Sequence, residues 1–264
     1  MTISVEEHTT HKRVGETRLN NHGSKMTIIE YKGRKDITIY FPDSNYTSIN
    51  KSYSNFAKGN IRNPYDKIIC GVGYLDEGNI PTSFLSKRGK YESTRTYGVW
   101  QNMLKRCYNP TYQNEHPTHK ECTVCEEWYN FQTFAKWYNE NYYEIDEQRM
   151  NLDKDILIKG NKSYNPNTCV FVPATINNLF IKRNKSRGEY PIGVCFYRGK
   201  YLAFCNNKTG IQVSLGSFEN SHLAFNSYKN YKENYIKEIA NMYKSKIPLN
   251  LYEAMLNYKV EESD

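Results

Sequence analysis

The spacing of apolar residues switches repeatedly between a period of two and a period of 3.6, which restricts this 264-residue chain to a succession of small mixed modules. Alternation governs Ile28-Ile29-Glu30-Tyr31 and Asp36-Ile37-Thr38-Ile39-Tyr40-Phe41. A turn at Pro42-Asp43-Ser44-Asn45 follows, then Tyr46 to Tyr53, the pattern of short strands. Gly59, Pro64, Gly71, Gly73 and Gly78 break the next stretch into loops. Over 97–108 the period lengthens, placing Val99 or Trp100, Met103, Leu104 and Cys107 on one helical face, and Asn109-Pro110 ends that helix. A second helix is expected from about Cys125 to Asn141, its Trp128, Phe131, Phe134, Ala135 and Tyr138 forming core rather than a ligand box. Residues 152–177 then read as strand, turn-rich loop, strand and helix start, and 190–240 as three strands followed by an amphipathic helix. The fold class is therefore α+β and multi-module. A polar N-terminal segment spans 1–25 with a loose end, and a small β-rich domain spans 26–90. A helical segment joined to a strand–strand–helix core (152–180) spans 91–188, and a sheet-plus-helix domain with a tail spans 189–264.

Charge is concentrated rather than spread. The 36 Lys and Arg exceed the 28 Asp and Glu by +8, yet ten bases face only three acids between Asn151 and Ser214. From Glu121 to Arg149 the balance reverses, with seven acids against two bases. The positive stretch peaks at Lys182-Arg183-Asn184-Lys185-Ser186-Arg187, which suits either a solvated linker or phosphate contact. Its place between the two motifs described below favours phosphate contact. The chain carries 24 Tyr, 25 Lys and 30 Asn, all with A+T-rich codons, so aromatic and basic richness alone argues little for binding. No apolar run approaches the ~20 residues that span a bilayer, and the polar opening carries no signal or anchor pattern, so no membrane association is expected. Seven cysteines form no secreted disulfide framework and read as reduced thiols in a cytosol.

The first chemical candidate is Leu152-Asp153-Lys154-Asp155, followed by Gly160-Asn161, Asn165-Pro166-Asn167-Thr168, Cys169-Val170-Phe171-Val172-Pro173 and Ile176-Asn177. This run resembles the ββα-metal core of HNH endonucleases in its phage homing-endonuclease form. The resemblance implies that Asp153 and Asn177 are metal ligands for Mg²⁺ or Mn²⁺ and that Asn167 holds the loop. The general-base His of that family is replaced by Lys154. An imidazole near ~6.5 accepts a proton from water at pH 7, whereas an ammonium near ~10.4 does not without a large downward shift. With Asp153 and Lys154 as the catalytic pair, two readings stand: a degenerate core in which Lys154 clamps a phosphate, and a working metal-dependent nicking enzyme.

His116, His119, Cys122 and Cys125 lie within ten residues and supply two imidazoles and a C-x₂-C pair, in principle a Zn²⁺ site. Four ligands so close together are crowded, and a buried thiol opening an aromatic helix is the competing reading of Cys125.

The second candidate combines Gly193-Val194, Arg198-Gly199-Lys200-Tyr201-Leu202-Ala203-Phe204, Gln212-Val213-Ser214-Leu215-Gly216-Ser217-Phe218 and a helix from about Ser221 capped by Asn220 or Ser221. About 50 residues resemble the AP2 (ERF-type) DNA-binding domain, which lays one sheet face into the major groove. The resemblance implies a DNA-facing set of Cys195, Tyr197, Phe204, Asn206, Gln212 and Ser214, with Arg198, Lys200 and Lys208 on phosphates. Asn206 and Gln212 suit adenine, and Tyr197 and Phe204 suit thymine methyls, an A·T-leaning readout. The competing reading is a small packing module with no ligand.

Together the two resemblances imply a protein of the phage or prophage HNH-like, AP2-bearing kind, monomeric, acting on double-stranded DNA in a host cytoplasm. Lys182, Arg183, Lys185 and Arg187 would add phosphate grip. A third expectation is a regulator or counter-defence protein that contacts a host protein through residues 1–150. The tail stripe Leu249, Leu251, Ala254, Met255 and Tyr258 is expected to pack back onto the domain.

Overall fold

A computed structural model describes residues 13–181, 189–207, 210–262 and 264. The chain mixes helix and strand throughout and divides into two compact units, Met1–Glu140 and Asn141–Asp264. This division falls inside the expected 91–188 module. The physical reason is a shared core, described below for the second unit.

In the first unit, β1 (Thr17–Leu19), β2 (Lys25–Gly33), β3 (Asp36–Phe41) and β4 (Tyr46–Lys51) pair antiparallel in chain order. Alternation sends Ile37, Ile39 and Phe41 of β3 inward, where they meet Met26, Ile28, Phe56 and Ile61. Phe56 is delivered by α1 (Tyr53–Ala57), whose N-cap Ser52 accepts a hydrogen bond from the Asn55 N–H. Of the polar segment 1–25, residues 17–19 form β1 and Lys25 begins β2; the end expected to be loose lies outside the described residues. Buried Asn20 also donates to buried Asp66 at 2.7 Å, tying this segment to the loop after α1.

After a hairpin of β5 (Ser83–Leu85) and β6 (Tyr91–Ser93), Thr94 caps α2 (Arg95–Tyr108) by accepting from the Tyr97 N–H. Trp100, Met103, Leu104 and Cys107 are the buried face. Asn109 ends α2 and caps α3 (Pro110–Glu115), so the proline that stops one helix opens the next. The helix expected over 125–141 is shorter: Glu126–Tyr129 is a 3₁₀ turn and α4 spans Phe131–Asn141. The break lies at Asn130, whose side chain accepts from the Gln132 N–H at 2.8 Å and so acts as a cap. Trp100 donates its indole N–H to the Trp128 carbonyl at 2.7 Å, and its ring lies 5.4 Å from that of Phe131.

The second unit joins a hairpin to a sheet-and-helix layer. β7 (Met150–Asp153) pairs antiparallel with β8 (Val170–Pro173), and the single turn α5 (Ala174–Asn177) packs on both. β9 (Val194–Tyr197), β10 (Lys200–Asn206) and β11 (Gln212–Phe218) form an antiparallel sheet in chain order. Against it lies α6 (Ser221–Tyr243), capped by the Asn220 side chain, which accepts from the Leu223 N–H at 2.9 Å. The first half of α6 supplies Phe225 and Tyr228 to the core under this sheet. Its second half supplies Ile236, Ile239 and Ala240 to a core that also holds Val170, Val172 and Ile176 of the hairpin module. One helix therefore closes two cores, which is why 141–180 and 189–264 form one unit. Leu251 and Met255 of α7 (Leu249–Asn257) are buried in the same core, but Leu249 is exposed, so the expected tail stripe begins two residues later, at Leu251. No helix among the described residues is long and apolar enough to cross a membrane.

Candidate functional site

The strand alternation of β9–β11 divides the sheet into two faces. Ala203 and Cys205 are buried on the side facing α6, with Val194 and Leu215 half-buried beside them. The register pairs Cys195 with Leu202, Tyr197 with Lys200, Phe204 with Ser214 and Asn206 with Gln212 on the opposite face. The whole set expected to face DNA thus shares one surface. Cys195, Tyr197, Asn206, Gln212 and Ser214 are exposed there, and Phe204 is half-buried. A register shift at Ala203/Phe204 makes Leu215 the extra residue of a bulge and keeps Gln212 and Ser214 in phase with Asn206 and Phe204. Leu202 and Ser217 pair with each other on this face as well. Sequence reasoning missed them, although alternation from Phe204 would have reached Leu202.

The β9–β10 connection is the two-residue turn Arg198-Gly199, with φ of 48° and 81°. Positive φ at both positions is what a type I′ hairpin requires, and it is costly for an arginine. Arg198 is exposed, and its guanidinium carbon lies 5.1 Å from the Tyr197 ring centroid. Lys200 is engaged by Glu219, an exposed ion pair that shares its charge. Lys208 and the basic run Lys182, Arg183, Lys185 and Arg187 lie outside the described residues.

The carboxylates of the hairpin sit where β7 ends. Asp153 Oδ1 accepts the N–H groups of Asp155 at 2.9 Å and Ile156 at 2.8 Å, an Asx turn that reverses the chain. Burial pushes the Asp153 carboxyl up to about 6, with the nearby Asp155 charge acting in the same direction. Lys154 donates to Asp155 at 3.2 Å and to the Asn161 carbonyl at 3.1 Å, and its side chain is only 12% exposed. Held this way, its Nζ is a hydrogen-bond donor to both. Asn161 in turn donates to the carbonyls of Lys154 and Ser163, closing the loop. Asn165 holds the next turn, accepting from the N–H groups of Asn167 and Thr168. The loop-holding role expected of Asn167 thus belongs to Asn165 and Asn161, because their side-chain oxygens are the ones placed to receive backbone donors.

Asn177 ends α5 and is half-buried, with no hydrogen bond to Asp153 among the described residues. In kind, Asp153 and Asn177 fit a hard divalent cation. They offer oxygen donors, and a cation would relieve the repulsion between the desolvated Asp153 and Asp155. The Asp153–Asp155 pairing was not anticipated, though the D-x-D spacing carried the signal.

His116, His119, Cys122 and Cys125 are arranged differently. The two imidazole centroids are 6.5 Å apart, and Tyr112 packs 4.4 Å from His116 and 5.8 Å from His119. Burial pushes the Cys125 thiol up to about 11. Among the described residues no three His, Cys, Asp or Glu side chains gather as a group able to hold a metal ion.

Compared with known proteins, the chain matches no family model, no curated protein and no solved structure.

Proposed function

We propose that this chain binds double-stranded DNA through the outer face of the β9–β11 sheet. The observation that carries the reading is the register that places Tyr197, Phe204, Asn206, Gln212 and Ser214 together on the side opposite α6. Such a surface offers two amides able to pair with adenine and two aromatic side chains able to meet thymine methyls. Arg198 at the hairpin tip stands where a phosphate contact would be made, and the similarity to AP2 domains supports the same docking. The hairpin module resembles an HNH core, and in this reading it rests on the DNA backbone as a scaffold without cleavage. The tethering of Lys154 by Asp155 and Asn161 favours that version, since no general base stands in the position of the missing His.

The crowded Asp153–Asp155 pair favours a second reading, a metal-dependent nicking endonuclease. Asp153 and Asn177 would hold Mg²⁺ or Mn²⁺, and the ion when bound would stabilise charge on the scissile phosphate. Lys154 would donate to the same phosphate. One assay separates the two: a supercoiled A+T-rich plasmid incubated with the chain, with and without Mg²⁺ or Mn²⁺. The scaffold reading expects retardation with no open circles. Metal-dependent nicking that is lost in Asp153→Asn would replace it with the enzyme reading. Absence of retardation at low salt would refute DNA binding itself.

A further inference from the structure

Beside the sheet face, the second unit contains a cation for which the described residues supply no counter-ion. Lys232 lies on α6 with Tyr228 one turn before it and Tyr235 one turn after. All three line a groove of about 780 Å³, within the ~300–1,000 Å³ range of small-molecule sites. Phe180 and Tyr258, whose rings meet edge to face at 4.7 Å, contribute aromatic wall, and Asn206 and Gln212 contribute exposed amides.

Among the described residues no hydrogen bond or ion pair holds the Lys232 ammonium. Its neighbours are the Tyr235 ring, at 5.8 Å to the centroid, and the Cys205 thiol, which is close enough to feel its charge. The carboxylate next in sequence is committed elsewhere, and Asp264, which also lines the groove, is paired with Lys159 at 2.8 Å and accepts the Glu261 N–H. Glu233 faces Lys229 and Lys259, each at 3.6 Å, and accepts the Val260 N–H at 2.9 Å. Burial pushes the Lys232 pKa down, the expected consequence of a desolvated cation with no partner. A cation in this position is stabilised by an incoming anion.

The groove does more than hold a charge. A bare inorganic anion would leave the rings and amides unused, and an acyl chain would leave the ammonium unpaired. We propose that the groove binds a nucleoside monophosphate unit, with its phosphate on Lys232, its base against the Phe180, Tyr235 and Tyr258 rings, and Asn206 or Gln212 on the polar edge of the base. The groove adjoins the proposed DNA-facing surface and shares Cys195, Phe204, Asn206 and Gln212 with it, but it requires no duplex.

The test is calorimetric titration of dAMP, deoxyadenosine and inorganic phosphate into the DNA-free full chain and into Lys232→Met. Saturable dAMP binding is expected in the parent. It should be roughly tenfold to hundredfold weaker in Lys232→Met, and weaker to a similar degree for deoxyadenosine, as loss of a charge-assisted hydrogen bond implies. Methionine keeps the stem length and removes a desolvated charge, so the variant should fold. Independently, dAMP should protect Lys232 of the parent from reductive methylation. Equal dAMP affinity in Lys232→Met, or no saturable binding and no protection, overturns the assignment. Phosphate binding as tight as dAMP binding overturns the nucleotide part of it. Competition of a short single strand with dAMP would identify the unit as part of a strand, and its absence would identify a free nucleotide. Because no duplex is present, failure of the DNA-binding proposal leaves this result intact.

Discussion

Replacing Asp153 by asparagine should stabilise the second unit at neutral and alkaline pH while removing the acid the hairpin presents. The substituted amide would keep an Oδ1 acceptor for the Asp155 and Ile156 N–H groups, so the turn survives. It would also offer an N–H donor to Asp155 where two carboxyls now repel. In the folded chain Asp153 holds its proton up to about pH 6, against 3.8 for an ordinary aspartate, so the native state binds more protons between those values. Stability from this group is therefore full below pH 3.8 and is lost as pH rises through 6. Roughly two pK units at ~1.36 kcal/mol each give about 3 kcal/mol for the gain of the variant above pH 6, shrinking towards zero near pH 4. For a unit of this size that is roughly 10 °C in melting temperature. The chain's three tryptophans, Trp100, Trp128 and Trp137, all lie in the first unit, so their fluorescence does not report the change. Calorimetry, or hydrogen exchange at the amides of Val170–Val172, reads the second unit directly. Equal stability of variant and parent at pH 8, or a gain at pH 4 that disappears at pH 8, would refute the reasoning.

Three further substitutions probe other parts of the structure. Gly193 has φ +77°, and a Cβ there would lie 2.1 Å from the ring of buried Tyr228. Gly193→Ala should therefore destabilise the second unit by about 3 kcal/mol or more in urea unfolding followed by circular dichroism, combining backbone strain with overpacking. Arg198→Gly should relieve the left-handed conformation at the hairpin tip and raise stability by about 1 kcal/mol, while weakening duplex binding several-fold in a retardation assay. Trp100→Phe leaves the Trp128 carbonyl without its indole donor and opens a small cavity, so it should cost about 2–4 kcal/mol in the first unit, read by tryptophan fluorescence during urea unfolding.

Much of the architecture was legible where periodicity and capping agree. Ile37, Ile39 and Phe41 announced β3, whose observed bounds are Asp36–Phe41. Met103, Leu104 and Cys107 with Val99 or Trp100 announced α2, where the structure buries Trp100, and of the two caps expected for α6, Asn220 or Ser221, it uses Asn220. The misreadings come from polar side chains whose hydrogen bonds periodicity does not record, one local and one distant. Asn130 interrupts an otherwise helical pattern by capping it from within. Asn20 anchors a polar segment through a buried contact with Asp66, 46 residues away. The sharing of α6 between two cores was also invisible, because an amphipathic stripe records what is buried but not against what. At the candidate site, alternation within each strand, combined across strands by the AP2 resemblance, collected Tyr197, Phe204, Asn206, Gln212 and Ser214 on the face where the register places them. The pairing of Lys200 with Glu219, the tethering of Lys154 and the isolation of Lys232 depend on three-dimensional neighbours and left no mark on local spacing.

The central claim concerns the outer face of the β9–β11 sheet, and fluorescence anisotropy of a labelled A+T-rich duplex tests it directly. Binding is measured from about 50 to 200 mM salt for the parent and for the double variant Asn206→Ala/Gln212→Ala. The account predicts that log affinity falls linearly with log salt. It also predicts that the variant binds at least about tenfold more weakly with the same slope, since the lost amides contact bases rather than phosphates. A flat salt response, or a variant indistinguishable from the parent, would contradict it.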